Sequence, residues 1–488
     1  MNRNVESHFA QVPQAGIQRS VFDRSFDHKT SFNVGQLIPF YLEEILPGDT
    51  FRVSTSKVVR LQTLLTPVMD NAYLDTYYFF VPNRLVWSHW RELMGENTAS
   101  AWVPSVTYSV PTISSPTSTG FTTGSLADYM GLPVGVPWSA TDAQAPIALP
   151  FRAYALICNE FFRDENLTAP LNIPTGDSNQ TGTNGSSYVN DVANGGAPFI
   201  VAKYHDYFTS CLPSPQRAAA PVTFPLISGS SAPVRATNNL IGAVGDSSSN
   251  YGGLTFYDKS SSTLTALTGQ HNVETINGVM VADTSTSSGS AHTLTPMNLW
   301  ADLSSSVGSV TVNQLRLAFQ LQRFYERAAR SGSRYIETIK AFFNVSSPDA
   351  RLQRPEYLGG NRVPLNINEV TNQAQTSTDF LGDLGAKSVT SDIHEDFVKS
   401  FTEHGFVLGV MCVRYDHTYP QGMAKMWKRK AMTDYYWPTF ANIGEQPVYT
   451  DEICATSTNI GTANVFGYQE AWAEYRYKPN ICTSEMRP

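Results

Sequence analysis

Histidine and carboxylate side chains gather in the stretch "HEDFVKSFTEH", where they could bind a metal ion or transfer protons. The residues of this kind are His394, Glu395, Asp396, Glu403 and His404. His394 and His404 are ten positions apart, nearly three helical turns, so a single helix would not bring both rings to one metal. The stretch is therefore predicted to be a solvated polar face, with no metal site and no catalytic residue.

A second candidate is the pair Glu43 and Glu44, because two carboxylates can divide acid and base roles between them. Neighbouring residues of an extended chain point to opposite sides, so these two carboxylates should not meet. The sequence also lacks a phosphate-binding loop, a nucleophile elbow and a His-Glu-x-x-His zinc motif. These observations favour a protein that is not an enzyme and needs no cofactor.

Cations and aromatic rings alternate in "AKMWKRKAMTDYYWP", a pattern typical of surfaces that bind single-stranded nucleic acid. Cations neutralise phosphates and rings stack on bases, without choice of sequence. The candidate residues facing nucleic acid are Lys425, Trp427, Lys428, Arg429 and Lys430. A solvated basic turn beside core aromatics would give the same pattern, and the sequence leaves both interpretations open.

A long helix is predicted over residues 311–332, where apolar residues recur at helical spacing between Thr311 or Asn313 as a cap and Gly332 as an end. Its apolar stripe consists of Leu317, Leu321, Phe324 and Ala328. The arginines on this helix or just after it are Arg316, Arg323, Arg327, Arg330 and Arg334. They could bind phosphate, but we favour a helix that is docked by its apolar stripe and whose arginines pair with acidic neighbours.

The composition indicates a large, weakly charged protein. Of 488 residues, 41% are apolar, 12% are aromatic and 16% are charged, against about 25% charged residues in average proteins. A neutral, aromatic surface suits broad protein contacts, although a merely neutral β-protein would look similar. The net charge of −8 argues against general nucleic-acid binding by the whole molecule, but permits a local basic patch.

Cysteine usage and hydropathy predict synthesis in a reducing cytosol and no membrane association. The five cysteines form no Cys-x-x-Cys pair, which makes a disulfide framework or a structural zinc site unfavourable. The first residues, "MNRNVESHFAQVPQ", have no apolar core of the kind found in signal peptides. No apolar run approaches the roughly eighteen residues of a membrane span.

A definite corner is predicted near the start of the chain. In "LIPFYLEEILPGDTFRV", Pro47 and Gly48 fit the central positions of a type II turn. Phe51 and Val53 then alternate with polar residues, as in a half-buried strand. The part before the turn alternates poorly for a strand, and Pro39 comes too early for a helix. Residues 1–50 as a whole are predicted to form an extended N-terminal arm that ends in this corner.

The remaining pattern is mainly that of β-strands. "NAYLDTYYFFVP" reads as a strand buried between two layers, and "HGFVLGVMCVRYDHTYP" as another strand. After Pro82, Asn83 can cap a short helix that ends before Gly95. We therefore expect an all-β body with a few helices.

Two polar, Gly-rich stretches interrupt this body. Residues 171–198 are predicted to be a loop, and residues 228–292 an exposed, partly ordered insertion. Within the insertion, "TINGVMVAD" has an Asn-Gly pair between apolar residues, which predicts a β-hairpin.

Three blocks carry a specific resemblance. They are "SFDHKTSFNVGQLIPFYLEEILPGDTFRV", "MDNAYLDTYYFFVPNRLVW" and "QLQRFYERAARSGSRYIETIKAFFNVSSPDARLQRPEYLGG". Together they resemble the major capsid proteins of the Microviridae, and more closely the gokushovirus branch of these small single-stranded DNA phages. The resemblance extends from about residue 20 to near residue 485, and region 228–292 is not matched residue by residue.

The resemblance implies a fold and an assembly. The fold would be an eight-stranded viral jelly roll, a β-sandwich with long loop insertions and a few helices, occupying residues 51–488. Sixty copies would assemble into a T=1 icosahedral shell. The insertion at 228–292 would protrude at the threefold axes and contact the host, with Tyr251, Phe256 and Tyr257 as the candidate contact residues. A C-terminal tail longer than the ending "SEMRP" would also be expected.

The resemblance also implies partners within the virion and in the host. They are an internal scaffolding protein, a small basic DNA-binding protein with the packaged single-stranded DNA, a minor pilot protein and a bacterial receptor. Because each copy carries a net charge of −8, the shell cannot neutralise a genome by itself, and the basic partner fits that need.

Two other classes fit parts of the pattern. A carbohydrate-binding β-sandwich adhesin would explain the neutral loops rich in Ser, Thr and Asn, but it would be expected to carry a secretion signal. A glycoside hydrolase needs two carboxylates about 5 to 10 Å apart, and the sequence offers no such pair. The capsid interpretation is favoured because of the three matched blocks.

Overall fold

The computed structural model describes most of the chain. The described residues are 16, 18–62, 70–98, 106–117, 119–218, 222, 234–236, 256–258, 272–276, 279–283, 291–296, 299–301, 311–371 and 384–487. They divide into two compact units, one built from Met1–Pro215 and Arg330–Pro488 and the other from Gln216–Ala329.

Strands dominate the described residues. They are β1 (Ile38–Ile45), β2 (Thr50–Val59), β3 (Ala72–Pro82), β4 (Ile113–Ser114), β5 (Gln180–Thr181), β6 (Val234–Ala236), β7 (Phe256–Asp258), β8 (Asn272–Ile276), β9 (Val279–Asp283), β10 (Ala291–Pro296), β11 (Leu299–Ala301), β12 (Glu356–Pro364), β13 (Ile367–Thr371), β14 (Leu384–Ser388), β15 (Thr390–Ser400), β16 (Gly405–Tyr415), β17 (Thr418–Tyr419), β18 (Glu445–Tyr449), β19 (Val465–Glu470) and β20 (Asn480–Ile481). The α-helices are α1 (Asn83–Val86), α2 (Trp90–Leu93), α3 (Leu126–Tyr129), α4 (Leu149–Ile157), α5 (Val312–Arg330), α6 (Tyr335–Phe343) and α7 (Thr450–Ile453). The mainly β prediction is confirmed.

The larger unit is organised by one antiparallel sheet with the strand order β1-β16-β3-β12. Strands β3 and β16 pair in unbroken register from Pro82 opposite Gly405 to Ala72 opposite Tyr415. The predicted strands at 71–82 and 404–420 are thus confirmed. The chain then passes through the corner from β1 into β2, which pairs with β15 rather than with β1.

Strand β3 lies between two apolar layers, as its sequence predicts. On one side, Phe79 and Val81 join the largest core cluster, which also contains residues of α4. On the other side, Tyr78 and Phe80 pack with Phe397 of β15. Alternate residues of a strand point to opposite faces, so the unbroken run of aromatic and apolar residues from Tyr77 to Val81 is what two buried faces require.

The corner has the predicted geometry. Gly48 adopts a φ of +94°, and the amide of Asp49 donates to the carbonyl of Leu46 over 3.1 Å. Phe51 and Val53 of β2 are half-buried while their polar neighbours are exposed. The segment before the turn differs from expectation, because Ile38–Ile45 is a regular strand. It lies at the sheet edge and shifts register between Pro39 and Tyr41, and this position tolerates a proline.

The short helix predicted after β3 is wrong in detail. The chain forms two single turns, α1 and α2, separated by an extended Trp87 whose indole donates to Asp177 over 2.8 Å. The residue preceding α1 is Pro82, and Asn83 is inside the helix without capping it. Gly95 has a φ of +97° just after α2, as expected for a helix end.

Helix α5 confirms the predicted helix at 311–332. The Thr311 hydroxyl accepts from the amide of Gln314 over 3.3 Å at its start, and Gly332 has a φ of +83° beyond its end. Three residues of the apolar stripe are exposed, Leu317, Leu321 and Phe324, so the expected docking of the stripe is wrong for these residues.

The core beside β3 includes a helix that the sequence did not reveal. Helix α4 continues into a π-helix at Cys158–Phe162, and most of its residues are buried. The loop at 171–198 covers this core and contributes Leu171, Val192 and Ala193 to it. The loop is thus partly buried and well anchored.

The smaller unit holds an antiparallel sheet with the order β7-β10-β9-β8 and the pair β11-β6. Strands β8 and β9 form the predicted hairpin, with Ile276 opposite Val279. Phe256 and Tyr257 lie in β7. Tyr251 lies outside the described residues.

Candidate functional site

The stretch "AKMWKRKAMTDYYWP" with the two residues after it, 424–440, is called the basic-aromatic segment below. It lies between β17 and β18 and contains three single turns of 3-10 helix. These turns are Lys425–Lys428, Met432–Asp434 and Pro438–Phe440. The carboxylate of Asp434 accepts from the amides of Lys430 and Ala431 over 2.9 and 2.8 Å, which shapes the second turn. These hydrogen bonds hold the pKa of Asp434 below its usual range.

Lys428 is committed to a buried acid of its own chain. Its ammonium group donates to Asp451, whose side chain is 1% exposed, and lies 5.3 Å from the ring centroid of Tyr449. A buried carboxylate left without its cation is strongly unfavourable, so this lysine is needed where it is. Phosphate binding by Lys428 would compete with its pairing to Asp451.

Arg429 is held in a similar way. Its guanidinium donates to the carboxylate of Glu474 over 2.8 Å, and it lies 4.4 Å from the ring centroid of Tyr475. The side chain of Arg429 is largely buried by these contacts. Lys428 and Arg429 therefore fix the segment to the body of the protein.

A third acid, Glu452, follows Asp451 directly in the chain. Burial raises the pKa of the Glu452 carboxyl, although Lys425, Lys428 and a hydrogen bond from the Tyr449 amide over 2.9 Å act in the opposite direction. The segment thus covers two buried acids, and its cations partly neutralise them.

Trp427 and Lys430 differ from these residues because they face outward. Trp427 is 71% exposed, and Lys430 is also exposed. Tyr435, Tyr436 and Trp437, a few residues later in the chain, are also partly exposed. Of the five residues proposed to face nucleic acid, these observations leave Trp427 and Lys430 best placed to contact a partner.

The acidic and histidine stretch is a strand and a turn, not a helix. His394 Nδ1 lies 3.2 Å from Asp396 Oδ1, and the other oxygen of Asp396 accepts from Thr55 over 2.6 Å. The Asp396 side chain is fully buried, so a solvated polar face is the wrong description of this residue. It holds β15 to β2.

The other members of that stretch have separate structural partners. Glu395 pairs with Arg52 over 2.7 Å, and Glu403 pairs with Arg84 over 2.6 Å. The ring of His404 packs against Trp90. Within the described ranges, no group of three or more His, Cys, Asp and Glu side chains could hold a metal ion.

Glu43 and Glu44 point apart, as predicted. Both lie in β1, where Glu43 pairs with Arg24 over 2.6 Å and Glu44 is exposed. Two arginines of the α5 region also have their predicted acidic partners. Arg330 pairs with Glu445 and Glu470, and Arg334 donates to Glu337 and to backbone carbonyls.

Among the residues that the structure describes, no helix is both long and apolar enough to cross a membrane.

The comparison with protein families decides what kind of protein this is. The family described as "Capsid protein (F protein)" of phages matches residues 10–488. The chain belongs to this family of phage capsid proteins.

Three relatives, each called "Capsid protein VP1", are similar over more than four-fifths of their length. The relative from Chlamydia phage 1 is 38% identical, covering 99% of this chain and 87% of the relative. The relative from Bdellovibrio phage phiMH2K is 39% identical, covering 100% and 86%. The relative from Spiroplasma virus 4 is 40% identical, covering 94% and 81%.

These findings confirm the resemblance to the gokushovirus branch of the Microviridae. They also confirm the prediction of a structural capsid protein of the virion that is not an enzyme. The adhesin alternative therefore has no support from the relatives.

Proposed function

We propose that the chain is the major shell subunit of a small single-stranded DNA phage and that sixty copies enclose the genome in a T=1 icosahedral shell. The observation that carries this proposal is the capsid-family match over residues 10–488. Closed assemblies of identical subunits need large self-complementary surfaces, and a weakly charged, aromatic chain suits that need.

The order of strand pairing supports an eight-stranded jelly roll in the larger unit. Successive strands from the N-terminal side pair with successively earlier strands from the C-terminal side: β1 with β16, β2 with β15, and β3 with β12. A long antiparallel ribbon that is rolled up into two facing sheets has this pairing order. The three pairs account for six of the eight strands proposed.

The insertion is proposed to form the threefold protrusion and to contact the host receptor through Tyr251, Phe256 and Tyr257. Support comes from its position within the compact unit Gln216–Ala329, which has a sheet of its own. A unit with its own sheet can vary without disturbing the shell, as a host-contacting element requires.

The basic-aromatic segment is proposed to contact packaged DNA through Trp427 and Lys430, while Lys428 and Arg429 hold the segment in place. The exposed ring and cation suit base stacking and phosphate contact. Trp427→Ala with Lys430→Glu should lower the DNA content of particles without changing their size. Unchanged DNA content would exclude this contact.

The remaining partners are proposed on the basis of the family alone. They are an internal scaffolding protein, a small basic DNA-binding protein, a minor pilot protein and a bacterial receptor. No membrane component is proposed.

Electron microscopy and light scattering on the protein co-expressed with its neighbouring genes test the shell directly. Uniform icosahedral particles of about sixty subunits are expected for a closed shell of identical copies. Deletion of residues 228–292 should remove a bump at each threefold axis and leave the shell diameter unchanged. A stable monomer under the same conditions would contradict the proposal.

A further inference from the structure

Residues 18–32 are a part of the predicted N-terminal arm, and the name N-terminal arm is kept for them below. They run beside strand β1 in the antiparallel direction. Position along the arm rises as position along β1 and the corner falls. The three contacts that define this course are Arg19 with Gly48, Arg24 with Glu43, and Phe26 with Tyr41. From one contact to the next, the residue number rises in the arm by as many positions as it falls in β1 and the corner, as in an antiparallel pair of strands.

The arm is attached through side chains. The Arg19 guanidinium donates to the Gly48 carbonyl, and Arg24 lies 2.6 Å from Glu43. The Phe26 and Tyr41 rings stack with centroids 5.9 Å apart. Among the described residues, no backbone hydrogen bond joins the arm to β1. The arm therefore follows the sheet edge without becoming a strand of the sheet.

Between the first two contacts, the arm presents two apolar side chains to solvent. Val21 is fully exposed, and Phe22 is 79% exposed. Residues 18–31 are all exposed on their own chain, and only Phe32 at the end of the arm is half-buried. Val21 and Phe22 are adjacent apolar side chains on an extended segment. Removing them from water is favourable, and on this exposed segment that requires another molecule to cover them.

The charges of the arm indicate which kind of molecule that is. Its arginines at positions 19 and 24 are occupied by a carbonyl and a carboxylate of the same chain. Asp23, next to Phe22, and Asp27 are exposed and would repel phosphate groups, and they offset the charge of Lys29, the third cation of the arm. Nucleic acid is thus disfavoured, and a neutral protein surface with aromatic residues is favoured. This chain, with 16% charged and 12% aromatic residues, provides such a surface itself.

We infer that Val21 and Phe22 are buried by a second copy of this chain, so that the N-terminal arm is an intersubunit contact held at the edge of β1. The inference rests on the proposed function, because it requires copies that assemble. Arg19, Arg24 and Phe26 position the arm before assembly, and this lowers the entropy lost when the neighbouring copy binds.

The test compares assembly of the full-length wild-type protein with the double variant Val21→Ser, Phe22→Ser. The readouts are particle formation by light scattering and electron microscopy, and the melting temperature of the unassembled chain. The variant should need at least about tenfold more protein for half-assembly, which corresponds to about 1.4 kcal/mol. Its melting temperature should equal that of the wild type, because these side chains are exposed on their own chain.

Two control variants make the result specific. Val21→Ile, Phe22→Leu keeps the apolar character and should assemble like the wild type. Ile393→Ser removes another side chain that is 79% exposed, in strand β15, and should alter assembly less than the arm variant.

The other possible outcomes contradict either the inference about the arm or the shell proposal. Normal assembly of the double Ser variant overturns the inference and leaves the shell proposal intact. A lower melting temperature of the unassembled Ser variant also overturns it, because the arm would then pack on its own chain. If the wild-type protein forms no assembly even when it is co-expressed with its neighbouring genes, the shell proposal and the inference both fail.

Discussion

Glu452 carries a carboxyl group whose burial raises its pKa above the ordinary 4.5. A raised pKa in the folded state means that folding favours the protonated form. Below pH 4.5 the group is protonated in both states and has no effect. As the pH rises through the raised pKa, the folded protein is destabilised relative to the unfolded chain.

Glu452→Gln is therefore expected to stabilise the protein at neutral pH. Glutamine keeps the oxygen that accepts from the Tyr449 amide and removes the buried negative charge. The melting temperature should be higher than that of the wild type at pH 7 and equal to it near pH 4. As a contrast, Glu474→Gln weakens the pairing with Arg429 and should destabilise at pH 7. A lower melting temperature of Glu452→Gln at pH 7 would contradict this account of the charge.

Gly48 combines a conformational and a steric requirement. Its φ of +94° is unfavourable for other residues, and a Cβ there would lie 2.7 Å from the guanidinium of Arg19. Gly48→Ala should lower the free energy of unfolding by about 1 kcal/mol. Because the flexible Arg19 side chain can move away from the added methyl group, the substitution should also break the contact of Arg19 with residue 48 and release the arm.

Gly95→Ala is the matched control for this prediction. Gly95 has a φ of +97° and no atom within 4 Å of the added Cβ. Both variants should lose similar stability, but only Gly48→Ala should make the arm more sensitive to protease. Equal protease sensitivity of the two variants would show that Arg19 does not hold the arm.

Single residues also show the limit of prediction from the sequence. The positive φ of Gly48 was predictable, because Pro-Gly in a tight turn is a local pattern. The roles of Lys428 and Arg429 were not, because Asp451 and Glu474 lie more than twenty residues away along the chain. Whether a cation is available for DNA depends on such distant partners.

At the scale of elements, Arg152 of α4 anchors the loop at 171–198. This buried guanidinium donates to Gln180 Oε1 over 3.0 Å and to the carbonyls of Val86 and Gly176 over 3.2 and 3.1 Å. Burial lowers its pKa to about 10. One side chain thereby joins the helix, the loop and the end of α1.

Arg152→Met should destabilise the protein by about 3 kcal/mol, because it leaves several buried acceptors without a donor. Thermal unfolding with the exposed Arg91→Met as control measures this effect. A loss in Arg152→Met no larger than in the control would show that the loop is anchored elsewhere.

Elements with strong local patterns were predictable. Strand β3 has apolar residues on both faces, and α5 has a cap, a helical period and a terminal glycine. Strand β1 was missed because Pro39 and adjacent glutamates obscure its alternation, and only its edge position makes them acceptable. Helix α4 was missed because burial on nearly all sides removes the amphipathic period.

At the scale of the molecule, the pairing of β1 with β16 joins residues more than 350 positions apart. No local pattern specifies such a pairing, so composition and periodicity alone indicate only a mainly β chain. The matched sequence blocks supplied the capsid family. The role of the corner at Gly48 is visible only in the whole fold. There the chain passes from the sheet that contains β1 and β16 to the sheet formed by β2 and β15.

The net charge of −8 per copy gives the last prediction, for the assembled shell. A shell of such subunits repels a genome on average, and two cations of the basic-aromatic segment are already paired with acids of the same chain. Shells formed without the proposed small basic DNA-binding protein should therefore contain little or no single-stranded DNA. The ratio of absorbance at 260 and 280 nm of purified particles measures this, and particles formed with that protein are the control. DNA-filled particles made of this chain alone would mean that its inner wall neutralises the genome despite the net charge.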